Sequence, residues 1–462
     1  MSGNLPVNGE PSNKPPTKGH FRRSVFVLVG GAAFGHIITA LALPVATRLY
    51  GPADFSVLAV FASVVSIVSV AACLRFDIAV PVAGSDAEAA NLLVLALVFA
   101  FLISLVVGVT VAIIPENLQE QLGLATISPY LWLLPVGILL AGAYSAFQGW
   151  FVRRSSFGLI SRSRVGQSAA MAGGQIGLGA ASLAPLGLLV GHTLNTAVGC
   201  VVLGYRVIAQ ESKLLGTISS RSLRATFSAF SRFPKYSTFE ALCNSAAIQL
   251  PVIMIAALAI GPEAGYLTLA MSVMQAPMAL IGNAIGQVYL SRAPDHYRNG
   301  NLAQFTVDTL GGLSKVGVGP LIFAAIVAPD GFSIVFGENW RRAGEMLAWM
   351  TPWFIAQFLS SPLSMAVHVT NHQRIALVLQ LFGLLVRILA VWAASYWASR
   401  FLVESYALSG FLFYSVYFAV VLVVARVELH ALANAFNTAI ISCISWIVAG
   451  LGIVLIARTV GP

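Results

Sequence analysis

The sequence predicts an all-α integral membrane protein: twelve transmembrane helices form two six-helix bundles around a central cavity, and a thirteenth helix follows at the C-terminus. Three observations carry this expectation. Of 462 residues, 58% are apolar and 9% charged, with a mean hydropathy of +0.85, whereas soluble domains carry about 25% charged residues. Apolar runs of about 20 residues, the length that crosses a bilayer, recur thirteen times. The longest polar loop, about 205–236, follows the sixth run and holds six bases against one acid, Glu211. Soluble-enzyme readings fall away.

Residues 1–20 carry Pro6, Pro11, Pro15 and Pro16 with little that is apolar, so they bury too little surface to order themselves and are read as a cytoplasmic tail. Helices are expected at 24–46, 54–74, 88–114, 128–151, 157–183 and 185–204, making an N-terminal bundle over 21–204. After a cytoplasmic linker at 205–236, a C-terminal bundle over 237–425 takes helices at 237–259, 264–290, 308–329, 344–369, 375–398 and 403–425. The last run, 435–457, lies in an extra segment at 426–462. With the N-terminus cytoplasmic, nineteen Lys and Arg fall inside and five outside, while Lys315 and Arg387 lie within spans; the inside-positive rule therefore sets this orientation. Cys73, Cys200, Cys243 and Cys443 each sit alone, so neither disulfides nor zinc is expected.

An internal repeat supports the split. Leu43-Pro44-Val45 precedes Gly51-Pro52, and Leu250-Pro251-Val252 precedes Gly261-Pro262, each Gly-Pro followed by an acid, Asp54 or Glu263. Both copies read as a proline-broken helix, an outer turn and a second helix, a duplication common in transporters.

Polar residues at helical spacing inside spans must face protein or water. Gln357, Ser361, Ser364 and His368 form one stripe; Gln275, Asn283 and Gln287 form another; Glu240 stands one turn before Asn244; Gln373, Gln380 and Arg387 follow heptad spacing. Ser63, Ser66, Cys73 and Asp77 mark the second helix. Such stripes serve either a water-filled cavity or hydrogen bonds between packed helices. Arg387 has no acid within two turns of its own helix, whereas Asp308 stands seven residues before Lys315 and offers it a partner. In the fifth helix, Gly173 and Gly177 make a small-xxx-small step that reads as a packing face. Arg162 and Arg164 at its cytoplasmic end either follow the inside-positive rule or ring a portal for a phosphorylated headgroup.

No catalytic or metal-binding constellation is present in the spacing: the seven histidines form no metal pattern, and outer loops of about a dozen residues leave no room for an active-site lid. A transporter, not an enzyme, is what remains.

Several segments carry a resemblance. Arg48-Leu49-Tyr50-Gly51-Pro52-Ala53-Asp54-Phe55, Leu74-Arg75-Phe76-Asp77-Ile78-Ala79, Gln275-Ala276-Pro277 and Ile281-Gly282-Asn283-Ala284-Ile285-Gly286-Gln287-Val288 stand in that order. Phe336-Gly337-Glu338-Asn339-Trp340, Ala343-Gly344, Ser361-Pro362-Leu363-Ser364 and Arg387 follow. Together, over about 21–425, they resemble the oligosaccharide flippase (polysaccharide transporter) family of the multidrug/oligosaccharidyl-lipid/polysaccharide exporter superfamily. The resemblance implies a V of two bundles around a cationic cavity in the bacterial inner membrane. It implies outward flipping of an undecaprenyl-diphosphate-linked saccharide by alternating access, without a cofactor and coupled to a proton or sodium ion. Membrane lipids, a polysaccharide polymerase and chain-length machinery are the implied partners; no nucleic acid is expected.

On this reading Arg75 and Arg387 contact the diphosphate or acidic sugars, with Lys315, Gln357 and Asn283 as further substrate-binding candidates. Coupling falls to Glu240, Asp77 and Asp308, Glu240 first because a broken helix would free carbonyls for a cation; its alternative is a pair with Lys235 or Arg232. Arg162 and Arg164 form the candidate portal. The competing functions are a cation-coupled multidrug exporter, which needs acids in its cavity, and a membrane glycosyltransferase or polymerase, which needs larger outer loops.

Overall fold

A computed structural model describes residues 18–216, 218–370 and 372–460, and among them no strand occurs. The first half comprises α1 (Lys18–Leu49), α2 (Pro52–Ala72), a short α3 (Phe76–Ala79), α4 (Asp86–Ile113), a short α5 (Glu116–Gln121), α6 (Leu133–Arg153), α7 (Phe157–Ala180) and α8 (Leu186–Leu215). A connecting helix, α9 (Ser220–Ala229), leads to α10 (Thr238–Leu258), α11 (Glu263–Arg298), α12 (Leu302–Leu313), α13 (Gly319–Phe336) and α14 (Arg341–Ser360). The short α15 (Met365–Val369), α16 (Gln373–Trp397), α17 (Leu402–Val424) and α18 (Leu429–Val460) complete the chain.

Every expected span falls on a long helix or an end-to-end pair of helices. Ten stretches among the described residues are long and apolar enough to cross a membrane, α18 contributing Ala439–Ile456. The expected spans outside that group lie on α7, α11 and α14, the least apolar of the long helices. Helices α1, α2, α4, α6, α7 and α8 pack on one another, as do α10 to α17, and α2 joins the halves through α10 and α11.

Local chemistry revises several expected boundaries. The stretch 205–236 is mostly helical, because α8 runs on to Leu215 and Ser219 caps α9 by accepting from the Ser222 amide. The run at 344–369 is not one helix: a 3₁₀ turn at Pro362–Ser364 separates α14 from α15, as Pro362 cannot supply the next amide donor. The run at 308–329 belongs to a longer rod, Leu302–Phe336, with a π-helical turn at Ser314–Val318. Neither Pro44 nor Pro251 breaks its helix; α1 and α10 run through them, and the Thr47 hydroxyl donates to the Pro44 carbonyl. Gly173 and Gly177 have nothing within 4 Å of an added Cβ, whereas Gly174 packs on Leu194 and Gly179 on Tyr50. The packing face of α7 is therefore rotated by one to two residues from the expected step.

Successive long helices reverse direction, giving a first end, where α1 starts, and a second end, near Leu49. Helix α18 lies parallel to α12 and α13: Ala435 meets Gly311, Trp446 meets Gly319 and Gly450 meets Ile326. Between these contacts the Ser442 hydroxyl donates to the Lys315 carbonyl at 3.1 Å, and Lys315 sits in the π-helical turn, where the regular ladder is interrupted. Val460 thus stands at the second end, opposite Lys18.

The halves meet tightly at the second end. Trp340, 1% exposed, donates its indole N–H to the Thr47 carbonyl at 3.1 Å and packs edge-on against Phe55 and Tyr266. Gly265 lies so close to α2 that an added Cβ would stand 2.0 Å from the Pro52 carbonyl oxygen, and its amide donates to Ser56 Oγ at 2.8 Å. Arg342 binds Glu263 and Glu404, joining the second-end tips of α11, α14 and α17. At the first end, Asp86 takes Arg153 and Arg154, and Arg154 reaches Glu211, so α4, α6 and α8 are tied there.

Helix α6 passes α3 with equal closeness: a Cβ on Gly149 would stand 2.3 Å from the Asp77 carbonyl oxygen. Gly149→Ala is therefore expected to destabilise the protein by about 1–3 kcal/mol, read as a lower midpoint of thermal unfolding in detergent. An unchanged midpoint would contradict this packing.

Candidate functional site

A cavity of about 610 Å3 lies within the second half, lined by α10, α11, α14, α16 and α17, with His36 contributed by α1. It extends from Tyr406, near the second end, to Gly286 and Met365, nearer the first. Gly31 and Gly35 bring α1 against Ser161 and Ser168 of α7, and His36 is left on the exposed side of α1. None of the described lining residues is acidic.

Arg387 is the charged group of this cavity. It sits midway along α16 at 5% exposure, where the lenient insertion scale puts a charge at about 2.5–3.5 kcal/mol. Aromatic rings take the place of water. The guanidinium carbon stands 4.7 Å from the Phe413 ring centre, 5.6 Å from Trp353 and 5.7 Å from Tyr414. Trp353 in turn meets Tyr406 edge-on at 5.1 Å. Two donors stay buried without a partner, Arg387 Nε and Trp353 Nε1. The cavity wall thus carries one positive charge and two unpaired, buried N–H groups.

Of the other sequence-predicted residues, Gln357 lines the same cavity, with Gln275 and Ser361. Ser364 turns back, donating to the Ser361 carbonyl at 2.7 Å. Asn283 is carried by α11, but its side chain, like those of Gln287, His368 and Gln373, lies outside the described residues. Lys315 is exposed on the far side of α14, beside α18, and no ion pair joins it to Asp308 among the described residues; Asp308 is exposed and accepts from Gln304. Glu240 and Asn244 are both exposed on α10. Pro251 lies inside a continuous α10, so the helix break expected to favour Glu240 does not occur. Arg162 is exposed and Arg164 half-buried near the first end of α7, outside the cavity lining.

Arg75 and Asp77 share a strained turn, with Leu74 at φ 46° and Arg75 at φ 61°, left-handed values that side chains rarely adopt. Phe76, fully buried against Phe99 and Phe227, anchors the turn. Burial pushes the Asp77 carboxyl above its ordinary range, while the Arg75 guanidinium pulls the other way. Asp77 Oδ1 and Arg75 Nε are buried without partners. Ser63 and Ser66 serve as interhelical contacts instead: Ser63 donates to Gln249 and Ser245 donates to the Ser66 carbonyl, while Cys73 donates to the Gly142 carbonyl.

Sequence reasoning missed the ring cage, His36 and the Arg342 cluster. The cage was readable: Tyr406, Phe413, Tyr414 and Tyr417 fall at i, i+7, i+8 and i+11, one helical face. The acid after the second Gly-Pro likewise pointed to Arg342, because Glu263 needs a cation once it is half-buried.

The family model described as polysaccharide biosynthesis protein matches residues 45–345. No curated protein matches the chain in sequence. Among solved structures, a lipid II flippase, MurJ, in an inward closed conformation superposes with a TM-score of 0.69 at 11% identity, covering 95% of this chain and 98% of its own. An inward-facing multidrug resistance transporter of the MATE family in the MOP superfamily gives 0.59 at 14% identity, covering 89% and 96%. These likenesses show the fold. With the family model spanning residues 45–345, most of the chain, the chain belongs to the polysaccharide biosynthesis protein family.

Proposed function

We propose that this transporter moves a polyprenyl-diphosphate-linked oligosaccharide, the repeat unit of an O-antigen, capsule or exopolysaccharide, from the inner to the outer leaflet of a bacterial inner membrane. The observation that carries the reading is the buried guanidinium of Arg387, without an acid partner among the described residues, facing a polar and aromatic cavity. An exporter of organic cations would want the opposite charge there. The nineteen-to-five distribution of bases supports a cytoplasmic N-terminus and first end. Closure at Trp340 then seals the outer side, and the cavity extends inward. The lipid-linked substrate is the natural partner; a polymerase and chain-length machinery would act after release.

Coupling to a proton or sodium ion belongs to the same proposal. Asp77, buried beside Arg75 with its carboxyl pushed up by desolvation, is better placed to take a proton than the exposed Glu240. A raised carboxyl holds its proton to higher pH than an ordinary aspartate, so protonation would be lost as the cytoplasmic pH rises through that raised value. Arg342, Glu263 and Glu404 then act as structural ties at the outer end.

The decisive experiment is deletion of the gene: lipid-linked repeat units should accumulate and surface polysaccharide should fall. Unchanged polysaccharide with altered drug tolerance would replace this reading by drug export. In liposomes, Arg387→Ala at normal protein abundance should reduce flux at least tenfold. Arg387→Lys should also be impaired despite its charge, because an ammonium lacks the planar fork; wild-type flux in both variants would remove Arg387 from the site. With imposed gradients, Asp77→Asn should lose the response to pH while Glu240→Gln keeps it, and the reverse pattern would return the coupling role to Glu240.

A further inference from the structure

We infer that the anion read by Arg387 is the carboxylate of an acidic sugar, a uronate within the glycan, and not the diphosphate of the lipid carrier. This rests on the saccharide-transport reading above and narrows its substrate class. Charge comes first. A diphosphate carries more than one negative charge, and burying it would demand several cations. The described lining brings Arg387 alone as a permanent cation, with His36 the only other basic residue. Arg75 and Lys315 stand outside this lining, so no second guanidinium or ammonium is supplied. One guanidinium balances one carboxylate.

Shape points the same way. Phe413, Trp353 and Tyr414 ring the guanidinium at 4.7 to 5.7 Å, so its polar capacity is confined to the N–H edge. A planar carboxylate meets that edge through two parallel N–H···O bonds. Trp353 Nε1, buried and unpartnered like Arg387 Nε, adds a neutral donor within the same cage. The remaining polar side chains, Gln357 and Tyr406 among them, are uncharged groups that match sugar hydroxyls. The apolar ring faces suit the C–H face of a pyranose. A buried charge is tolerated when it is paired and hydrogen-bonded, and a uronate meets both conditions here.

Purified full-length protein in nanodiscs would be titrated calorimetrically with a trigalacturonate, with the neutral trigalactose of the same size, and with inorganic pyrophosphate. The uronate is expected to bind at least tenfold more tightly than the neutral sugar. Arg387→Ala should erase that difference, and Trp353→Phe, which keeps a ring in the cage, should reduce it. Pyrophosphate should not displace the uronate from the wild type, a readout that needs no variant to fold. Equal binding of both sugars, or displacement by pyrophosphate, would overturn the inference and leave the flippase reading standing. Binding of tetraphenylphosphonium with none of the three anionic or neutral probes retained would overturn both.

Discussion

A guanidinium halfway through a membrane helix has to be solvated by the protein, and the second half of this chain is arranged to do so at Arg387. Each cation–π contact contributes about 0.5–2 kcal/mol, so three rings together offset a burial of about 2.5–3.5 kcal/mol. What they do not supply is an acceptor for the N–H edge, and Arg387 Nε is buried without one. The charge is offset enough to persist, while its hydrogen bonding stays incomplete. An aspartate in the same place would complete the pair and end the site's use.

The remainder of the architecture decides when that site is reachable. Contacts between the halves concentrate on α2, which meets α10 through Ser63, Ser66, Gln249 and Ser245 and meets α11 at Gly265. These are mostly hydroxyl and amide bonds across closely approached backbones, with Trp340 inserted at one end. Neutral hydrogen bonds of this kind are worth about 0.5–1.5 kcal/mol each. A joint made of several is firm in total but parts in small steps, as the proposed alternating access would require.

Much of this was legible in the sequence, and what was not has physical reasons. Apolar runs located every long helix, because bilayer thickness dictates span length whatever the partners are. Arg387 stood out because a lone base inside a span needs an explanation. Lys315 stood out for the same reason, yet it lies beside α18 where its backbone carbonyl, not its ammonium, makes the contact. A linear reading assigns depth but not azimuth, and a π-helical turn rotates everything after it. The same limit applied to Gly173 and Gly177, whose spacing suited packing but whose side of α7 is open. Pro44 and Pro251 misled in the opposite direction, since α1 and α10 run through them without a break. The cage around Arg387 draws on three helices, and only its α17 portion shows as a periodic pattern.

The duplicated Gly-Pro turns show how far the two halves have diverged. In the first copy, Asp54 folds back to accept from the Gly51 amide at 2.8 Å, a purely local cap. In the second, Glu263 leaves its own turn to bind Arg342, and Gly265 beside it is wedged against Pro52 of the first copy. The two Gly-Pro turns therefore make unequal contacts. Under the alternating-access proposal the two halves would therefore not be interchangeable, since the turn is closed on itself in the first and tied to Arg342 in the second.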